Sequence, residues 1–275
     1  MAVVLSLLSA LAYGVSDFLG GLFSKRSGPF QVAVVGQSSS TVTNLVVGLL
    51  VGGVVTGADW AWAAAAGVGG GIGTAFLYRG LAGARMGVVA PLSAVGTALL
   101  PVAVGLALGE RPSLLAVLGV ATAVPAIWLI SLVVDEDPSH RGGVVDGALA
   151  GLGFGALFVF LGRIDEEAGI LPLALTQLVS VVAVVATAVG LRQAWVPTDR
   201  AAWRALVMGP LGATATGAFV YATHHGLLSI VSVISSLYPA STVVLAALVL
   251  KERIHAWQGV GLGLAATAVT LVALG

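Results

Sequence analysis

Apolar stretches of about 20 residues follow one another along the whole chain, and each is long enough to cross a bilayer as a helix. Backbone in lipid must satisfy its own N–H and C=O groups, which leaves only helices and closed barrels. The stretches are continuous rather than alternating, so they read as helices. Ten fit, at about 2–22, 31–55, 61–82, 87–108, 113–134, 146–164, 171–191, 203–222, 227–249 and 256–274. With 58% hydrophobic and 9% charged residues, the expectation is an all-α integral membrane protein, not a soluble domain on an anchor. A net charge of zero gives no basic surface for nucleic acid. The absence of cysteine excludes disulfides, iron–sulfur clusters and thiol chemistry. Met1-Ala2-Val3-Val4 has no basic flank, so the first stretch reads as a transmembrane helix rather than a cleaved signal peptide.

Part of the pattern occurs twice. Residues 87–123 read as an apolar helix, then Gly109-Glu110-Arg111, then another apolar helix; residues 229–265 do the same around Lys251-Glu252-Arg253. At an offset of 142, residues 88–126 and 230–268 share 11 identities in 39 positions, including the Glu-Arg pair. The polar run Asp135-Glu136-Asp137-Pro138-Ser139-His140-Arg141 falls between the fifth and sixth stretches. The chain therefore divides into a first five-helix repeat (1–135), a polar linker (136–145) and a second five-helix repeat (146–275). Five is odd, so the second repeat enters the membrane in the opposite sense. That predicts two inverted repeats around a central cavity, with a site near the midplane, as in secondary transporters.

Loops after stretches 1, 3, 5, 7 and 9 hold Lys25, Arg26, Arg85, Arg141, Arg192, Arg200, Lys251 and Arg253, whereas the other loops hold only Arg111. The positive-inside rule puts the former in the cytoplasm and both termini outside. Glycines cluster at 67, 69, 70, 71 and 73 and at 151, 153 and 155, where they either let helices pack closely or let a helix bend. Pro101, Pro125, Pro210 and Pro239 fall inside stretches. Trp60, Trp62, Trp195, Trp203 and Trp257 flank stretches as interfacial anchors, and Trp128 reads as a packing residue.

These features resemble the EamA-type branch of the drug/metabolite transporter superfamily over nearly the whole length. The resemblance rests on ten stretches in two halves and on three segments. One runs from Leu77-Tyr78-Arg79-Gly80-Leu81 through Pro91 to Gly109-Glu110-Arg111; a second runs from Ser235-Ser236-Leu237-Tyr238-Pro239 to Lys251-Glu252-Arg253. The third is the opening Ala12-Tyr13-Gly14-Val15-Ser16-Asp17-Phe18-Leu19-Gly20-Gly21. The resemblance implies a basket of ten helices, alternating access, and export of small metabolites, amino acids or drugs. It implies both termini in the cytoplasm, against the charge count, and leaves orientation open. Many relatives carry Arg in the second helix; here Gln37-Ser38-Ser39-Ser40-Thr41 stands there, so no anion-binding Arg is carried over.

Ionisable residues inside stretches are expensive and are candidates for function. Asp17, opposite Phe158 in the second repeat, is the candidate proton-coupling residue, because a carboxylate removed from water can exchange protons. In this it resembles the first-helix carboxylate of the related small multidrug exporters. The alternative is an Asp satisfied by Ser16, backbone or a basic partner. Candidate substrate-binding residues are Tyr13, Gln37, Tyr78, Arg79, Gln177, Tyr221, His224 and Tyr238. Arg79 could hold a substrate carboxylate, pair with Asp17 or reach to the interface. Of the adjacent His224 and His225, at most one faces a cavity, and an interfacial hydrogen bond is the alternative. Gln37 and Gln177, with Ser38, Ser40, Thr43 and Asn44, could bond a ligand or neighbouring helices. Glu110-Arg111 and Glu252-Arg253 read as structural and topological.

No Walker A loop is present, so ATP is not the direct energy source. No G-x-S-x-G, H-E-x-x-H or equivalent supports an intramembrane enzyme, and no cofactor, metal or catalytic residue is expected. The expectation is a secondary transporter of a small neutral, zwitterionic or amphipathic solute in the plasma membrane, of the bacterial inner-membrane kind, with protons as candidate coupling ion. The alternative is a channel or lipid scramblase without ion coupling. Two halves in one chain let a monomer suffice and leave a dimer open.

Overall fold

The computed structural model describes residues 1–24, 26–83, 86–132, 143–251 and 253–275. Lys25, Arg85, Glu252 and the polar run 135–141 lie outside the described residues. Among those described, every long element is an α-helix and there is no strand. The helices are α1 (Ala2–Ser24), α2 (Pro29–Val51), α3 (Gly57–Gly83), α4 (Met86–Ala107), α5 (Leu114–Ser131) and α6 (Val144–Leu161). Then follow α7 (Leu171–Gly190), α8 (Met208–His224), α9 (Leu228–Ser235), α10 (Tyr238–Val249) and α11 (Ala256–Leu274). Among the described residues, ten spans are long and apolar enough to cross a membrane; α9 and α10 share the ninth. The chain is thus an all-α, multi-pass membrane protein.

Local chemistry sets where the helices begin and end. Ser113 opens α5 by accepting a bond from the Ala116 N–H, which would otherwise be unpaired at a helix start. Gly52 and Gly53 follow α2 at φ of 77° and 150°, which a side chain would resist, so the second helix stops short of residue 55 and α3 starts at Gly57. The eighth span opens as a 3₁₀ stretch, Ala202–Val207, before α8. Of the four prolines expected inside spans, only Pro101 and Pro125 lie in helix interiors. Pro210 is the third residue of α8 and Pro239 the second of α10, where a missing N–H costs nothing. Pro239 therefore splits the ninth span instead of bending it. The half before the break is buried along its length, whereas α10 buries only Pro239.

The bundle is assembled through small residues. α3 packs on α6 and α7, α4 on α6 and α9, α8 on α1 and α2, α10 on α1, α2 on α7, and α5 on α11. A Cβ added to Gly153 of α6 would lie 2.5 Å from the Gly73 nitrogen of α3; one added to Gly151 would lie 3.0 Å from Gly96 Cα of α4. The glycine clusters are thus crossing points, and α3 and α6 run through them unbroken. Trp60, Trp203 and Trp257 are exposed near span ends. Trp128, expected to pack, is 40% exposed instead, because α5 buries its opposite face through Ala123, Ala126, Ile127 and Ile130.

Candidate functional site

Two cavities meet inside the bundle and share Asp17, Leu77, Tyr78 and Tyr238. The deeper chamber holds about 90 Å³ and is bounded by α1, α2, α3, α6, α7 and α8. Tyr13, Gln37, Thr74, Phe154, Phe158 and Gln177 form much of its wall. The second cavity, a vestibule of about 520 Å³, runs along α10 from Tyr238 and Thr242 to Leu250, Arg253 and His255. Asp17 thus stands at the junction of the two.

The two ends of the bundle differ. At the end holding Ala2 and Gly275 (the terminal end), polar bonds tie the connections together. The Glu110 carboxylate accepts from the Leu228 N–H at 2.7 Å and the Ser229 N–H at 3.0 Å, at the start of α9. Asp59, 2% exposed, accepts from the Asp165 N–H at 2.9 Å and, with its other oxygen, from the Thr56 N–H at 2.9 Å. The Val54 N–H donates to the Glu167 carbonyl. Behind these bonds Phe158 stacks on Phe219, centroids 4.1 Å apart, and meets Tyr13 at 5.9 Å. The vestibule opens at the far end, where the α10–α11 connection lies.

Asp17 is partly buried and forms no ion pair among the described residues. Tyr13, Tyr78 and Tyr238 are all within electrostatic reach of its carboxylate. The Gln37 amide donates to Thr74 Oγ1 at 3.2 Å, and Gln177 faces the chamber from α7. Tyr13 Oη and Ser180 Oγ are buried at the chamber with no hydrogen-bond partner among the described residues.

Three candidates from the sequence do not line either cavity. Arg79 points to α6, where its guanidinium binds the Asp146 carboxylate, Nε to Oδ1 at 3.1 Å, and lies over the Phe76 ring at 4.5 Å. It is therefore neither Asp17's partner nor a cavity cation. Tyr221 is 36% exposed, on the outward side of α8. His224 bonds the Ile164 carbonyl through Nε2 at 2.9 Å, and His225 bonds the Tyr221 carbonyl. Ser40 faces the chamber and donates to the Gly209 carbonyl, whereas Thr43 bonds back to its own helix. Sequence reasoning passed over Thr74, Phe154, Thr176 and Ser180. The spacing of Phe154 and Phe158, one helical turn apart, was available as a signal. Single hydroxyls in apolar helices carry none.

The Arg79–Asp146 assignment gives a test. Their side chains are 33% and 13% exposed, between a surface and a buried pair. Arg79→Met is expected to cost about 1–3 kcal/mol by stranding the carboxylate. Adding Asp146→Leu is expected to restore most of the melting temperature in detergent, with solute affinity unchanged in both variants. A loss of solute affinity in Arg79→Met that the double variant retains would put Arg79 back at the site.

Residues 141–274 match the EamA-like transporter family. No curated protein sequence matches the chain. A protein solved by crystallography superposes with a TM-score of 0.76 at 16% identity, over 99% of this chain and 97% of that one. At that identity the likeness is one of fold.

Proposed function

Since its second half, residues 141–274, belongs to the EamA-like transporter family, within the drug/metabolite transporter superfamily, the chain is a membrane transporter, and we propose that it is a proton-coupled secondary exporter of small solutes. One observation carries this reading: a cavity tied shut at one end and open at the other, with a lone carboxylate where chamber and vestibule meet. A carrier needs such a site, reachable from one side at a time. Asp17 is the residue proposed to exchange the proton; Tyr13, Gln37, Tyr78, Gln177 and Tyr238 are proposed to hold the solute.

The helix pairings support inverted repeats over 1–135 and 146–275. Exchanging each helix of one half for its counterpart maps the α3–α6 pair onto α8–α1, α3–α7 onto α8–α2 and α4–α6 onto the ninth span on α1. The α2–α7 and α5–α11 pairs map onto themselves. Alternating access would then exchange the roles of the two ends. The far end carries Arg26, Arg192, Arg200, Lys251 and Arg253, which the positive-inside rule puts in the cytoplasm. The vestibule would then be the loading face of an exporter in the plasma membrane.

The test is solute-driven proton flux in proteoliposomes, with a panel of amino acids and organic cations, comparing wild type and Asp17→Asn. The expected result is a saturable solute that moves protons in wild type and that the variant still binds, at lower affinity, without moving them. Saturable flux indifferent to Asp17 and to the proton gradient would make the protein a facilitator. Non-saturating flux without counterflow would make it a channel or scramblase.

A further inference from the structure

The charge and ring content of the two cavities narrows the solute class. Among the described residues, one carboxylate and no Lys, Arg or His stands at the junction, the carboxylate of Asp17. The nearest intramembrane cation by sequence, Arg79, is turned away and bound by Asp146. The remaining basic groups on the lining, Arg253 and His255, are exposed at the vestibule mouth. Their height can be judged from α10. Thr242 Oγ1 donates to the Gly14 carbonyl, so Gly14 and Thr242 are level. Asp17 lies three residues further along α1, and α10 continues for seven residues beyond Thr242 to Val249, so that the chain leaves it at Leu250. At the helical rise of 1.5 Å per residue, the chain after α10 begins roughly 8 Å above Asp17, with Arg253 beyond it. The backbone of these basic residues therefore lies toward the mouth, away from a solute group held at Asp17.

Around Asp17 the walls are rings and hydroxyls. Tyr13, Tyr78, Tyr238, Phe154 and Phe158 line the chamber with aromatic rings, whose faces attract cations. Tyr13 Oη and Ser180 Oγ, buried without partners among the described residues, can accept from an N–H donor. A carboxylate in such a place is costly unless a positive charge joins it, and a carboxylate on the solute would meet repulsion with no base to offset it.

We propose that the site takes a small organic monocation, an ammonium group on an apolar ring-bearing body, and discriminates against the corresponding zwitterion and anion. This rests on the carrier reading above. The ammonium sits against Asp17 among the three tyrosines, and the apolar body extends toward Phe154 and Phe158.

The experiment uses four probes of one skeleton: phenethylammonium, phenylalanine, 3-phenylpropionate and 2-phenylethanol. Binding is followed by tryptophan fluorescence, and uptake by counterflow into proteoliposomes of the full chain. Phenethylammonium is expected to bind at least tenfold more tightly than the other three. That advantage is expected to vanish in Asp17→Asn, whose unchanged binding of 2-phenylethanol checks that it is folded, and to persist in Asp17→Glu, which keeps the charge. Equal or tighter binding of phenylalanine or 3-phenylpropionate overturns the cation assignment and leaves the carrier reading standing. Unchanged phenethylammonium binding in Asp17→Asn overturns it too. If no probe binds while the broader panel still yields a saturable solute, only the cation assignment falls; if the panel is empty as well, both fall.

Discussion

Gly153→Ala is expected to lower the melting temperature in detergent by several degrees, while Gly263→Ala, the same change on α11, raises it slightly. The opposite signs follow from what each new methyl meets. On Gly153 it would lie 2.5 Å from the Gly73 nitrogen, 2.7 Å from the Gly69 carbonyl oxygen and 2.8 Å from Gly73 Cα. All three are backbone atoms of α3, so no side chain can rotate away and the helices must separate. Overpacking of this kind costs about 1–3 kcal/mol. Here it also loosens the crossing that supports Phe154 and Leu157 in the chamber wall. Gly263 has nothing within 4 Å of a built Cβ, so Ala there gains only the better helix propensity, about 0.5–1 kcal/mol. Thermal melts read by size-exclusion chromatography check both. A neutral Gly153→Ala would mean that α3 and α6 are not held as closely as described.

That crossing illustrates what a linear reading can reach. The spans are legible because lipid leaves a buried backbone one economical solution, and a run of apolar residues is a local property. Asp17 and the tyrosines stand out for the same reason, as costly or bulky groups in an apolar background. Partnerships across the bundle have no local signal. Arg79 could be read as a substrate clamp until Asp146, 67 residues away, is seen to bind it. Glu110 is as opaque, since its partners at Leu228 and Ser229 lie 118 and 119 residues on. Tyr221 and His224 share the polar character of cavity residues, but the rotation of α8 takes them elsewhere, and an eighth span opening in a 3₁₀ stretch makes that rotation hard to count from sequence. The second helix reads on to residue 55 from sequence, past its end at Val51, because Gly52-Gly53 continues an apolar run while its backbone turns out of the helix.

Glu110→Ala is expected to unfasten the terminal end without unfolding the far end. The carboxylate takes two backbone N–H groups at the start of α9, and both residues that donate them are buried. Hydrogen bonds to a charged acceptor contribute about 1.5–3 kcal/mol each, and stranded buried donors lose a similar amount. Losing both bonds should therefore weaken the closed arrangement by roughly 3 kcal/mol, about two orders of magnitude in the opening equilibrium. The chain has no cysteine, so one introduced thiol is an unambiguous reporter. Val231→Cys places it at a fully buried position beneath the link, among Phe219, Leu228 and Leu161. Val32→Cys places another in the separate cluster around Met208. Maleimide labelling at position 231 should accelerate about 100-fold in the Glu110→Ala background, with the rate at position 32 unchanged, and Glu110→Gln should fall between, since its amide oxygen can still accept. Acceleration at both positions would signal general unfolding. An unchanged rate at 231 would mean that Glu110 caps a helix without holding the end shut, and the transport cycle would then have to close that end through Asp59 and the aromatic stack on Phe158.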